Sequence, residues 1–225
     1  MGHRKLKKFA EVEGFSNVFQ THIFPGDGSV FPLKGRWNID YFKNDNPITL
    51  EVGCGRGEYT IELARRFPDS NFIGMDIKGA RIWKGAKEAI QEGLKNVAFV
   101  RNRIDFIESY FGNGEINEIW IPFPDPYPGK EQKRLVSPEF IERYRNIAPA
   151  GTIVHLKTDS HDLYDYTLQQ VYANNYPLLA YSEDVYADIK SGGTEHFALL
   201  TEIQTYYEKM FLSQSLKIHY VEFSI

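Results

Sequence analysis

The chain has 225 residues, of which 42% are hydrophobic, 15% aromatic and 25% charged. Those values exclude a disordered, collagenous or coiled-coil chain. With 26 basic and 30 acidic side chains the formal net charge is −4, so any nucleic-acid site must be a local patch on a mildly acidic protein. The single cysteine excludes a disulfide framework and a multi-cysteine zinc site. No apolar run reaches the roughly 18 residues of a membrane span. The N-terminus MGHRKLKKFA is basic and lacks the apolar region of a secretory signal, and Leu6 stands where a myristoylation signal needs Ser or Thr. The expected address is the cytoplasm. The expected organisation is one domain over residues 1–225, as a monomer or homodimer.

Residues 1 to about 45 have weak periodicity. Gly14, Gly26, Gly28, Gly35, Pro25 and Pro32 predict an irregular arm that covers part of the domain and has no separate core. From residue 48 the pattern sharpens. ITLEVG (48–53) reads as a buried strand ending in a glycine cluster. EYTIELARRF (58–67) reads as a helix stopped by Pro68, and NFIGMD (71–76) as the next strand. Ile82, Trp83, Ala86 and Ile90 form one stripe of a helix over 79–93. Strands follow at 97–101 and 117–123. A helix then starts at Ser137-Pro138 and runs to Ile147, and residues 152–158 are a further strand. Another helix covers 161–173. Strands at 177–183 and 216–225 flank a helical stretch near 199–213. This alternation predicts a doubly wound, Rossmann-like α/β sheet of about seven strands, mostly parallel with an antiparallel last strand.

Two loops carry chemistry. EVGCGRGEYT (51–60) places Gly53, Gly55 and Gly57 between a strand and a helix. Glycines there permit positive φ and close approach of a ligand to backbone. The spacing is G-x-G-x-G. A dinucleotide fingerprint needs G-x-G-x-x-G, and its last glycine would fall on Glu58, whose carboxylate opposes a diphosphate. With Glu51 also at the strand end, the loop suits an ammonium or sulfonium ligand. Asp76 ends the next strand, where an acid can take both ribose hydroxyls. Cys54 reads as a small buried loop residue without a redox role. The second loop, IPFPDPYPGK (121–130), holds Asp125 and Tyr127 between prolines at the carboxyl end of a strand. That is the edge where ligands lie in such sheets, and Lys130, Lys133 and Arg134 follow to meet phosphates. The histidines, among them His155, His161 and His196, are too scattered for a metal site.

Glu51, the spaced glycines and Asp76 together resemble class I S-adenosylmethionine-dependent methyltransferases. PDPYP followed by basic residues resembles the corresponding segment of the TrmB family, the tRNA guanine-N7 methyltransferases. HLKTD (155–159) and TYYE (205–208) resemble that family's later motifs. The resemblance implies transfer of a methyl group from S-adenosyl-L-methionine to N7 of guanine 46 in the variable loop of tRNA. It implies Asp125 as the catalytic residue. Glu51, Gly53, Gly55, Gly57, Asp76, Arg103 and Asp125 would hold the cofactor, with Arg103 where the family has an acid near the adenine. Lys130, Asp159, Thr205, Tyr206, Tyr207 and Glu208 would hold the substrate. Arg4, Lys5, Lys7 and Lys8 would serve as an arm on tRNA phosphate, or as a solvated terminus. Tyr127 replaces the family's usual tryptophan, and the basic segment is shorter. Two other readings fit parts of the pattern: methylation of an exocyclic amine, and a non-catalytic tRNA- or cofactor-binding module.

Overall fold

A computed structural model describes residues 2–21, 30–191 and 197–225, with side chains from residue 6 onward. Gly26, Gly28, Pro25, His196 and the side chains of Arg4 and Lys5 lie outside the described residues. The strands are β1 (Val18–Phe19), β2 (Ile48–Val52), β3 (Asn71–Met75), β4 (Val97–Val100), β5 (Glu118–Pro122), β6 (Ile153–Thr158), β7 (Leu178–Ser182) and β8 (His219–Ser224). They form one sheet in the order β1-β4-β3-β2-β5-β6-β8-β7. Every described pair among β1 to β6 is parallel; β8 runs against both β6 and β7. The predicted doubly wound α/β sheet is therefore present, with eight strands and an antiparallel last strand. From β2 the chain winds outward through β3 and β4. It then crosses back to β5 on the other side of β2. The strand order reverses between β2 and β5, which opens a crevice beyond their carboxyl ends.

The helices are α1 (Gly2–Glu13), α2 (Glu58–Arg66), α3 (Gly79–Glu92), α4 (Pro138–Arg145), α5 (His161–Ala173), α6 (Val185–Lys190), α7 (Ala198–Glu202) and α8 (Tyr206–Ser213). Side chains alternate across each strand, so the sheet has two buried faces. Leu50, Ile73, Val100, Ile119, Leu156 and Val221 bury one face against α4 and α5. Phe72, Phe99, Trp120 and Tyr220 bury the other against α2 and α3.

The N-terminal arm is more regular than its sequence predicts. α1 docks on α3: the indole N–H of Trp83 donates to Glu11 Oε2 at 2.7 Å, and Lys8 Nζ lies 4.4 Å from the Trp83 ring centre. Phe9, Val12 and Leu6 give only a thin apolar stripe, and Leu6 is exposed. A short helix of that kind depends on its tertiary partner, which the local pattern does not contain. β1 adds to the sheet edge beside β4, and Phe31 and Trp37 enter the first core face. The stretch near 199–213 divides into α7 and α8, and α6 was not foreseen. The Ser137 hydroxyl donates to Gln132 O at 3.4 Å and does not cap α4. No described helix is long and apolar enough to cross a membrane.

Candidate active site

The turn after β2 is built on glycine. Gly53, Gly55 and Gly57 have φ of +74°, +54° and +72°, the left-handed region that L side chains avoid. At Gly57, which caps α2, a Cβ would stand 2.6 Å from Phe99 Cε1. At Gly55 the nearest atom to a Cβ would be 4.0 Å away, so that residue borders open space. Asp76 ties the turn to β3. One carboxylate oxygen accepts from the Gly55 N–H at 2.9 Å and the other from the Lys78 N–H at 2.7 Å. Each oxygen keeps a second lone pair for a hydroxyl donor.

Glu51 is buried at the end of β2. Its Oε2 accepts from the Thr60 N–H at 2.8 Å and from the Thr60 hydroxyl. Its Oε1 accepts from no described residue. Burial, with Glu58 and Asp76 adding negative charge nearby, pushes the carboxyl up to about 8. A buried acid with a free oxygen beside a glycine cradle fits a cationic amino group and disfavours a diphosphate. Cys54 is buried in the same turn, and burial pushes its thiol up, away from the reactive thiolate.

Across the reversal point, the loop after β5 carries Asp125. Phe123 and Tyr127, which flank it, have φ of +53° and +44°. Bulky residues rarely adopt that conformation, and it persists only where surrounding contacts impose it. Those contacts are visible. The Phe123 N–H donates to Lys157 O at 2.7 Å, and Arg134 Nε donates to Pro126 O at 2.9 Å. Asp125 itself is exposed and has no ion pair or hydrogen bond among the described residues. Asp159, at the end of β6, is half-buried, and burial raises its carboxyl above the usual range.

Several expected contacts turn inward instead. Arg134 has 2% exposure and pairs with Asp162 while its guanidinium lies over the Tyr166 ring at 4.4 Å, so it braces the loop and cannot meet a phosphate. Lys130 and Lys133 remain exposed. Arg103 pairs with Asp105 at 2.9 Å, and its N–H donates to Asn102 Oδ1, so neither is free for an adenine. The Thr205 hydroxyl accepts from the Glu208 N–H at 3.0 Å, closing a capping box on α8. Glu208 is fully buried; it pairs with Lys157 at 2.5 Å and accepts from the Tyr186 hydroxyl at 2.8 Å. Neither Thr205 nor Glu208 presents its side chain to a base. Tyr206 and Tyr207 lie at the rim, each with one face under a guanidinium: Arg56 at 4.0 Å and Arg81 at 5.3 Å.

Lys157 is the residue that sequence reasoning missed. Its ammonium donates to the Tyr59 hydroxyl at 2.9 Å and to Leu200 O, besides pairing with Glu208. It thereby ties α2, α7 and α8 to the end of β6. Burial pushes it down, to about 8, against the raising effect of Glu208. The available signal was a pair of ionisable residues, His155 and Lys157, on one face of an otherwise apolar strand. A concavity of about 510 Å³ lies elsewhere: Asn38, Asn46, Glu115 and Asn117 line it at the amino ends of β2 and β5. Ligands of such sheets occupy the opposite edge, where the acids converge.

A doubly wound sheet, a glycine turn below a buried acid, and a second acid at the end of the next strand define a class I methyltransferase, whose methyl donor is S-adenosyl-L-methionine. Residues 45–220 match the Methyltransf_4 family, described as "Putative methyltransferase". The chain is 46% identical over 226 residues to the tRNA (guanine-N(7)-)-methyltransferase of Bacteroides fragilis, covering 99% of this chain and 86% of that protein. It is 34% identical over 217 residues to the protein of the same name from Clostridioides difficile, covering 96% and 95%. The chain belongs to the TrmB family of tRNA (guanine-N7)-methyltransferases. Among solved structures, the 16S rRNA methyltransferase KamB aligns with a TM-score of 0.60 at 16% identity, over 80% of this chain and 88% of that one. A geranyl diphosphate C-methyltransferase from Streptomyces coelicolor, in complex with S-adenosyl-L-homocysteine, aligns with a TM-score of 0.53 at 15% identity, over 84% and 73%. These two share the fold.

Proposed function

We propose that this protein methylates N7 of a guanine in tRNA, at position 46 of the variable loop, and that it works in the cytoplasm. The observation that carries the reading is Asp125, unpaired on a strained loop across the strand-order reversal from the Glu51 and Asp76 crevice. The substrate rests on the relatives named above, and the position on the likeness of the 124–134 and 205–208 segments to the family's motifs.

When bound, the donor supplies an electrophilic methyl group on a sulfonium. Glu51 would hold its ammonium group and Asp76 its ribose hydroxyls, and Gly55, which borders open space, would let it lie against the backbone. Guanine N7 has an accessible lone pair and no proton, so no base is needed to generate the nucleophile. The base gains positive charge as it is methylated. Asp125 stabilises that charge and orients the base, which is electrostatic and positional catalysis. Asp159 accepts from the N1–H and 2-amino group of guanine. Lys130 meets a phosphate. Thr205, Glu208 and Lys157 act indirectly, by fixing α8 and its tyrosines at the crevice rim.

Incubation with labelled S-adenosyl-L-methionine and unmodified bulk tRNA, followed by digestion to nucleosides, tests this directly. Label in 7-methylguanosine is expected. Label in 6-methyladenosine, or donor binding without any transfer, would reject it.

A further inference from the structure

A chain with a net charge of −4 must attract RNA through a local patch, and the segment expected to supply it keeps Lys130 and Lys133 exposed but loses Arg134. Arg134 is buried against Asp162, and Arg103 is neutralised by Asp105. Arg36, Arg65, Arg66 and Arg143 are likewise paired with carboxylates. Arg56 and Arg81 are not: among the described residues neither has a carboxylate partner. Both lie at the ligand edge of the sheet. Arg56 sits between Gly55 and Gly57, and Arg81 is in the first turn of α3.

Each of these guanidinia rests on an aromatic shelf supplied by α8. Arg56 stacks on Tyr206 at 4.0 Å and Arg81 on Tyr207 at 5.3 Å, and the two rings are neighbours, with centroids 5.6 Å apart. Stacking orders a guanidinium while leaving its N–H fork free, which reduces the entropy lost when it grips an anion. The shelf is itself rigid, because α8 is anchored through Glu208 to Lys157. Arg56 and Tyr206 also line a groove that mixes Lys84 and Lys209 with Glu58, Glu62, Glu88 and Glu202, so the groove is not an anion pocket in its own right.

We propose that Arg56 and Arg81, presented on Tyr206 and Tyr207, form a clamp for the RNA phosphodiester backbone at the rim of the methyl-donor crevice. Because Arg56 belongs to the donor turn and its shelf to α8, the clamp joins the two sides of the site. RNA held there lies next to the donor turn. The inference rests on the tRNA reading above and adds Arg56 and Arg81 to the substrate-holding residues that the family resemblance implies. It also makes the tyrosines' hold on the substrate indirect: they carry the arginines that grip it.

The test is the salt dependence of binding to an unmodified tRNA transcript, read by fluorescence anisotropy between about 50 and 200 mM salt. Arg81→Gln and Arg56→Gln should each lower the slope of log K against log salt by about 1, and the double variant by about 2. Arg81→Lys should keep the slope. Tyr207→Leu should weaken binding while keeping the slope, because the charge stays and only its order is lost. Calorimetric donor binding confirms that Arg81→Gln is folded. A wild-type slope in both Gln variants, with wild-type protein still methylating tRNA, overturns the clamp alone. Wild-type protein that neither binds nor methylates tRNA overturns the function and the clamp together.

Discussion

The two sides of the crevice are built differently. On the β2–β3 side, most residues that the sequence marks stay at the turn where the strand order reverses: Gly55 bordering open space, Glu51 with a free oxygen, Asp76 bridging the turn; Gly57 packs on Phe99 instead. On the β5–β8 side, several marked residues face the protein. Arg134 braces the proline loop, Thr205 caps α8, and Glu208 is sealed against Lys157. A donor of fixed shape needs a preformed cradle close to one turn of chain. A large RNA needs loops and a short helix held at set positions, and polar residues do that holding from below.

The sharpest way to break this comparison is at Asp125, the exposed acid on the side where several marked residues turn inward. Asp125→Ala should lower the rate of methyl transfer by about a hundredfold to a thousandfold, the usual effect of removing one electrostatic contact to a transition state, with donor affinity changed far less. Full activity in a single-turnover assay would remove its role.

Comparable in free energy is the brace beneath α8. Lys157→Met leaves Glu208 buried without its cation and should cost about 3–5 kcal/mol of stability in urea unfolding. Lys157→Met with Glu208→Leu should recover most of that loss. If the single variant is as stable as wild type, the pair does not anchor α8. On the donor side, Gly57→Ala combines a φ of +72° with a Cβ 2.6 Å from Phe99 and should cost about 2–4 kcal/mol. Gly55→Ala has a similar φ but open space, so it should cost less in stability and more in donor affinity.

The smallest effect is a proton. Glu51 ionises near 8 in the free protein, against an ordinary 4.5, because it is buried. A group raised in this way favours the folded state at low pH, and that contribution fades as pH rises from about 4.5 towards about 8. Glu51→Gln should flatten this part of the stability profile. The donor's ammonium favours the carboxylate, so binding near pH 7 should release a proton. Affinity should then climb with pH by at most about tenfold per unit below 8. Calorimetry in two buffers of different ionisation enthalpy reads the proton; identical heats would contradict the assignment.

Much of this was legible beforehand. Alternation and glycine punctuation locate the strands from β2 to β6 within a residue or two, since each is a short buried run with its own boundary. The grouping of Glu51, the glycine turn and Asp76 was legible because two neighbouring parallel strands end side by side at one loop. α1 and β1 were not, because each is stabilised by a distant partner, α3 and β4, and carries little local pattern. The inward turn of Arg134 and Glu208 was hidden for the same reason: Asp162 and Lys157 lie 28 and 51 residues away, and residue type alone does not say which way a charged side chain points. Lys157 was hidden because a lysine in a strand reads as an exposed edge.

The most direct measurement is a crystal structure of the complex with S-adenosyl-L-homocysteine. The amino group should lie on Glu51 and the ribose on Asp76, with the sulfur turned towards Asp125. A product molecule bound at the Asn38–Asn117 concavity on the opposite edge, with the glycine turn empty, would contradict the account.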